Sequence, residues 1–210
     1  MRLHLLLLSG LLLAACASQT PAGHRPESSG EARWQGSLSL RQNRVWLQPC
    51  QERRQLLLAE PSDISEAARG LLHQQPQVFA DLRGTVSNSQ ETGADGLLNP
   101  QQLYRLEART PACQPARDSD GQLQARLTDG TILRVSRRGL LLQPRQQPAM
   151  AVPYLEEQLP DGQRSFSSEA NGHRLELWIA PQHCETSRLV TGWQATLHLD
   201  GTVTRGCAWL

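Results

Sequence analysis

The chain has 210 residues, 39% of them hydrophobic, and a formal net charge of +1. All 21 basic residues are arginine, so the absence of lysine excludes Schiff-base chemistry, a lysine-bearing phosphate loop and a lysine general base. A nucleic-acid binder carries a basic excess, and 21 basic against 20 acidic residues is no excess.

Arg2 supplies a short basic start, residues 5–13 form an apolar run broken only by Ser9-Gly10, and small Ala14-Ala15 precede Cys16. That is the three-part pattern of a secretory signal peptide. The run is about half of the ~20 residues that a membrane-spanning helix needs. Leu13-Ala14-Ala15-Cys16 resembles the bacterial lipobox. The resemblance implies removal of residues 1–15, a diacylglyceryl thioether on Cys16 and a fatty acyl group such as palmitate on its amino group. Several acyl chains on one residue anchor a protein firmly to a membrane. Ala17 stands where an Asp would retain such a lipoprotein in the inner membrane. The family rule therefore implies the outer membrane, at its periplasmic face or at the cell surface. Residues 16–33 are rich in Ser, Thr, Pro, Gly and charge, and are expected to form a disordered tether.

With Cys16 assigned to lipid, Cys50, Cys113, Cys184 and Cys207 remain, an even set that implies disulfides in an exported protein. Three connectivities are possible. Pairing Cys50 with Cys113 and Cys184 with Cys207 keeps each bridge inside one compositional unit. Clustered metal-ligand spacing is missing, since His183-Cys184 is only an adjacent pair and the other histidines beyond the leader (His24, His73, His173, His198) are scattered. Neither a metal nor a cofactor is expected.

Residues 34–40 alternate, with Trp34, Gly36, Leu38 and Leu40 on one side, the period of a half-buried strand. Residues 41–44 read as a turn, 45–48 as the return strand and 55–59 as a third strand. Ile64, Ala67, Ala68, Leu71 and Leu72 recur at helical spacing, with Ser62 or Asp63 as cap and Glu66 three residues after Asp63 as in a capping box. Residues 78–86 and 101–110 supply two further strands around a polar loop at 87–96. Three strands, a helix and two strands is the order of an OB-fold barrel. Trp34-x-Gly36, Cys50 after the second strand, Phe79 and Gly84 in the fourth and Cys113 at the end resemble the C-terminal OB domain of NlpE-like envelope lipoproteins. The resemblance covers residues 34–114 and does not extend to the metal-type motif of that family, which belongs to another domain. Trp34, Trp46, Phe79 and Tyr104 read as core or rim residues rather than as a stacking platform for nucleic acid.

Residues 114–121 form a short polar linker. Residues 122–210 then alternate short strands with turn signals, with strands at 123–127, 131–135, 140–143, 151–155, 164–168 and 173–180. Asp129-Gly130, Asp161-Gly162 and Asn171-Gly172 mark hairpins. Leu175, Leu177 and Ile179 face one way, while Arg174, Glu176 and Trp178 face the other. The end of the chain, Cys184-Glu185, an expected Ser/Gly loop, the alternating 192–199 strand and the closing Gly206-Cys207-Ala208, resembles an uncharacterised family of bacterial envelope proteins. That resemblance implies a small antiparallel barrel stapled at its last strand.

Nucleophilic hydrolysis needs a positioned Ser or Cys, a His and an acid; Ser187 near His183 and Glu185 reads as a structural loop. Glu156-Glu157 are neighbours on a strand, pointing to opposite faces, so they read as solvating an edge rather than as a catalytic pair. The expected fold is thus mainly β, an OB barrel with one helix followed by a second antiparallel barrel-like domain. The expected protein is a non-enzymatic outer-membrane lipoprotein, a binding, structural or sensory module with other envelope proteins as partners. The alternative is an inhibitor of lysozyme-type wall hydrolases, although such inhibitors present a Ser and a Lys to the lysozyme cleft and this chain has no Lys.

Overall fold

The computed structural model describes residues 29–109, 112–113 and 123–209. The expected leader 1–15, Cys16, most of the expected tether and the linker 114–121 lie outside the described residues.

β1 (Ser29–Arg41) and β2 (Arg44–Pro49) form a hairpin around Gln42 and Asn43, both at positive φ (49° and 61°) as a primed two-residue turn requires. β1 starts at Ser29 rather than Trp34, so the final residues of the expected tether are strand. They gain an edge to pair with, since Ser29 and Ala32 lie opposite Val86 and Gly84. Trp34, Gly36 and Leu38 are buried, as the alternation predicts. Gly36 has a further reason to be glycine: a Cβ there would stand 2.5 Å from the Gln48 carbonyl oxygen.

β3 (Leu56–Leu58) leads into α1 (Asp63–Leu72). Ser62 is the cap, and its box partner is Ser65 rather than Glu66. The Ser65 amide donates to Ser62 Oγ, and the Ser62 amide donates to Ser65 Oγ, each at 3.1 Å. Cap and box partner both fall one residue before the alternative pair Asp63 and Glu66. Ala68, Leu71 and Leu72 turn from the helix into the core with Leu38, Leu47, Leu58 and Leu82.

β4 (Val78–Ser87) and β5 (Gly96–Glu107) complete the unit. β5 begins well before the expected residue 101, because Leu97 and Leu98 pair with β3 on one side and β4 on the other, and it runs on through Pro100 although proline lacks an amide donor. The β4–β5 register shifts between Arg83 and Gly84, beside that proline. The pairings β1–β2, β2–β3, β3–β5, β5–β4 and β4–β1 close a five-stranded barrel, with β3 and β5 parallel. That strand order, with the helix between β3 and β4, is an OB fold.

The second half forms a nine-stranded antiparallel sheet from β6 (Leu123–Leu127), β7 (Ile132–Ser136), β8 (Gly139–Gln143), β9 (Met150–Val152), β10 (Leu155–Gln158), β11 (Arg164–Ala170), β12 (His173–Ala180), β15 (Trp193–Leu199) and β16 (Thr202–Trp209). Its order is β10-β11-β12-β15-β16-β6-β7-β8-β9. The two edge strands are therefore consecutive in the chain, joined only by Pro153-Tyr154. The sheet curls until its edges return to each other at that link, around a core of Leu133, Leu140, Phe166, Leu175, Leu177 and Leu197. The expected single strand at 151–155 is two strands because Pro153 interrupts it.

The stretch expected as a Ser/Gly loop is instead a hairpin, β13 (Cys184–Thr186) and β14 (Leu189–Thr191). It belongs to the first sheet: Leu189, Val190 and Thr191 lie antiparallel to Glu107, Leu106 and Arg105 of β5. β3 occupies that same edge of β5 at Gly96, Leu97 and Leu98, so β14 continues where β3 leaves off.

Candidate binding cleft

The two disulfides join Cys50 to Cys113, with Cα atoms 5.3 Å apart, and Cys184 to Cys207, 5.4 Å apart. The first ties the chain beyond β2 to the chain beyond β5. The second ties the hairpin β13–β14 to β16, and a small apolar cluster of Leu189, Cys207 and Trp209 fills the space beside it. Cys16 lies outside the described residues.

The barrel and the curled sheet meet at an arginine-rich junction. Glu107 of β5 accepts ion pairs from Arg105 (3.5 Å), Arg109 (3.9 Å) and Arg126 of β6 (3.4 Å). The Arg105 guanidinium lies over Phe79 (4.7 Å) and Trp209 (5.2 Å). Burial pulls its pKa down to about 10, with Glu107 opposing and Arg109 assisting; burial also lowers the pKa of Arg109. Close by, buried Asp81 receives Arg33 through two 2.7 Å bonds and Gln35 through a third, and the Arg33 pKa is raised chiefly by the hydrogen bond to Asp81. These cations are held by carboxylates and rings of the chain itself, so the junction is a fastening.

Of the aromatics singled out in the sequence, Trp34, Trp46 and Phe79 are buried, and Tyr104 lies half-buried beneath the Arg33 guanidinium at 4.5 Å. His183 and Glu185, both exposed, approach to 3.5 Å at the start of β13, and Ser187 is an exposed turn residue. Glu156 and Glu157 sit on β10, which is exposed throughout, and Glu156 is held by Arg164 at 2.6 Å. Among the described residues, no group of three or more His, Cys, Asp or Glu side chains could hold a metal ion, and no helix is long and apolar enough to cross a membrane.

The feature that sequence reasoning missed lies where the edges of the curled sheet meet. A cleft of about 530 Å³ opens between Pro153, Tyr154 and Leu155 on one side and β11 and β12 on the other. Tyr154 is fixed by its hydroxyl, which donates to the Ser136 carbonyl at 3.0 Å, and by an edge-on contact with Phe166 at 5.4 Å. Ser168 and Leu175 are buried cross-strand partners that line the cleft, while the neighbouring pair Glu169 and Arg174 is exposed. The cleft draws on both faces of β11–β12, as happens where the wall of a sheet is interrupted.

Ser168 is only 8% exposed, and its Oγ has no hydrogen-bond partner in the protein. Leaving a buried hydroxyl unsatisfied costs about 1–3 kcal/mol. Leu155 is 74% exposed at the lip. A rigid aromatic, an exposed aliphatic and an unpartnered hydroxyl in one concave place are the ingredients of a binding site. Only Pro153 hinted at it in the sequence, because the seam depends on which strands become edges. No protein-family model, no curated protein and no solved structure matches this chain.

Proposed function

We propose that the protein is an outer-membrane lipoprotein of the bacterial envelope, anchored through lipid on Cys16, whose two β units act by binding rather than catalysis. The observation that carries this reading is the cysteine pairing. Cys50 with Cys113 and Cys184 with Cys207 account for four of the five cysteines as bridges. The fifth is the one that closes the leader pattern. Such bridges belong to an oxidising compartment, which is where a leader of this kind delivers a chain. The OB topology agrees with kinship to NlpE-like lipoproteins, and the cleft at Pro153-Tyr154 supplies a surface for a binding role.

Intact mass of the protein purified from bacterial membranes tests the anchor. The expected species lacks residues 1–15, carries a diacylglyceryl and an acyl group on Cys16, and fractionates with the outer membrane. Cys16→Ser should abolish the adduct. A native chain that retains residues 1–15 and carries no lipid overturns the reading. A lysozyme inhibition assay on the same preparation examines the alternative and is expected to show no inhibition.

A further inference from the structure

The interrupted wall of the curled sheet points to a specific occupant. β11 runs on past β10: the pairing between them ends with Leu155 opposite Ser167, so Ser168, Glu169 and Ala170 have a strand partner only on the β12 side. β9 likewise pairs with β8 alone. On this edge Glu169 turns its main-chain N–H and C=O away from β12 and offers them to an incoming strand, while those of Ser168 and Ala170 face β12. Beside it lie the exposed Leu155, the half-buried Tyr154 and the unpartnered Ser168 hydroxyl, with Leu175 buried beneath them. Charge narrows the choice further. Residues 155–176 carry Glu156, Glu157, Asp161, Glu169 and Glu176 against Arg164 and Arg174 alone, in a chain of net charge +1. Arg174 is already taken up between Glu169 (3.6 Å) and Glu176 (3.3 Å), and Arg164 by Glu156.

We propose that this seam is a peptide-docking site, which takes an extended segment of a partner protein bearing basic side chains beside apolar ones. The segment adds to the open edge of β11 as a short strand, the mode in which main-chain bonds give affinity and alternate side chains give specificity. Its apolar side chain covers Leu155 and enters the cleft, its polar groups satisfy the Ser168 hydroxyl, and its basic side chain meets Glu169 or Glu176. A second copy of this chain is disfavoured as the occupant, because like charges directly opposite each other on paired strands repel. The assignment deepens the binding role proposed above and does not depend on the lipid on Cys16.

The test uses the full chain in an uncharged detergent and a fluorescently labelled, end-blocked hexapeptide of alternating leucine and arginine, followed by anisotropy. Saturable binding is expected. It should weaken at least tenfold in the double variant Glu169→Gln with Glu176→Gln, and at least tenfold in Ser168→Ala, which should be no less heat-stable than the native chain. A leucine–glutamate hexapeptide should not bind, and methylating alternate main-chain nitrogens of the leucine–arginine peptide should abolish binding. No saturable binding, or binding indifferent to these variants, overturns the proposal. Concentration-dependent dimerisation lost in Leu155→Asp assigns the seam to a second copy and overturns it as well. A chain that binds the peptide but carries no lipid would refute the anchor and leave the site standing; a lipidated chain that ignores the peptide would do the reverse.

Discussion

Glu107 of β5 and Arg126 of β6 stand 3.4 Å apart, so one carboxylate of the barrel holds a cation from the curled sheet. Glu107 is only 12% exposed and also serves Arg105 and Arg109, whereas Arg126 is 44% exposed. Removing the two partners should therefore have unequal effects. Glu107→Gln leaves two half-buried guanidinium groups without their carboxylate and should cost about 3 kcal/mol, the lower end for breaking a buried pair. Arg126→Ala removes one exposed pair and should cost about 1 kcal/mol or less. Urea unfolding of both variants checks the inequality.

Opening the Cys184–Cys207 bridge should loosen a particular part of the molecule. With a sequence separation of 23 residues, the chain-entropy model assigns it about 3 kcal/mol. The double variant Cys184→Ser with Cys207→Ser should lose roughly that amount of stability. Hydrogen exchange should accelerate first at Leu189, Val190 and Thr191, whose pairing with β5 is only three residues long.

The turn ends of the curled sheet should respond to acid. Asp200 Oδ2 lies 2.6 Å from His173 Nδ1. That hydrogen bond first, and the Arg174 amide second, hold the Asp200 carboxyl below its usual value. A depressed folded pKa means that the contribution is present above the unfolded carboxylate value and disappears as pH falls through the folded one. Both groups are exposed, so the change in stability is small, and NMR titration is the sensitive measurement. Asp200 should titrate below an ordinary aspartate, and His173→Gln should move it upward.

Gly36→Ala is expected to be poorly tolerated despite being a single methyl group. The new Cβ would stand 2.5 Å from the Gln48 carbonyl oxygen and 2.6 Å from Leu47 Cδ1. The backbone oxygen cannot move without disturbing the β1–β2 ladder. A loss of about 1–3 kcal/mol is typical of such overpacking, and the thermal midpoint should fall accordingly.

The sequence made the barrel legible because its elements carry strong local signals. Trp34, Gly36 and Leu38 alternate, Ile64 to Leu72 keep helical spacing, and both describe surfaces that the fold does bury. In the second half, Leu175, Leu177 and Ile179 were equally plain, since all three face the core of the curled sheet. The hairpin at Cys184 to Thr191 was not legible, because two three-residue strands hold too little periodicity to distinguish from a loop. Its pairing depends on the edge of a strand that lies far back in the chain. The cleft was hidden for a related reason. Ser168 and Leu155 reveal nothing as residue types; what matters is that β10 stops opposite Ser167 while β11 continues.

The shared edge of β5 also sets an order of events. Gly96 to Leu98 can find β3 as soon as the first hundred or so residues have emerged, on the order of seconds at typical rates of synthesis. Arg105 to Glu107 must wait for Leu189 to Thr191, with seven of the nine strands of the curled sheet still to be delivered between them. The barrel is therefore born with three residues of its rim unclothed, and its finishing stitch comes from a hairpin more than eighty residues further along the chain.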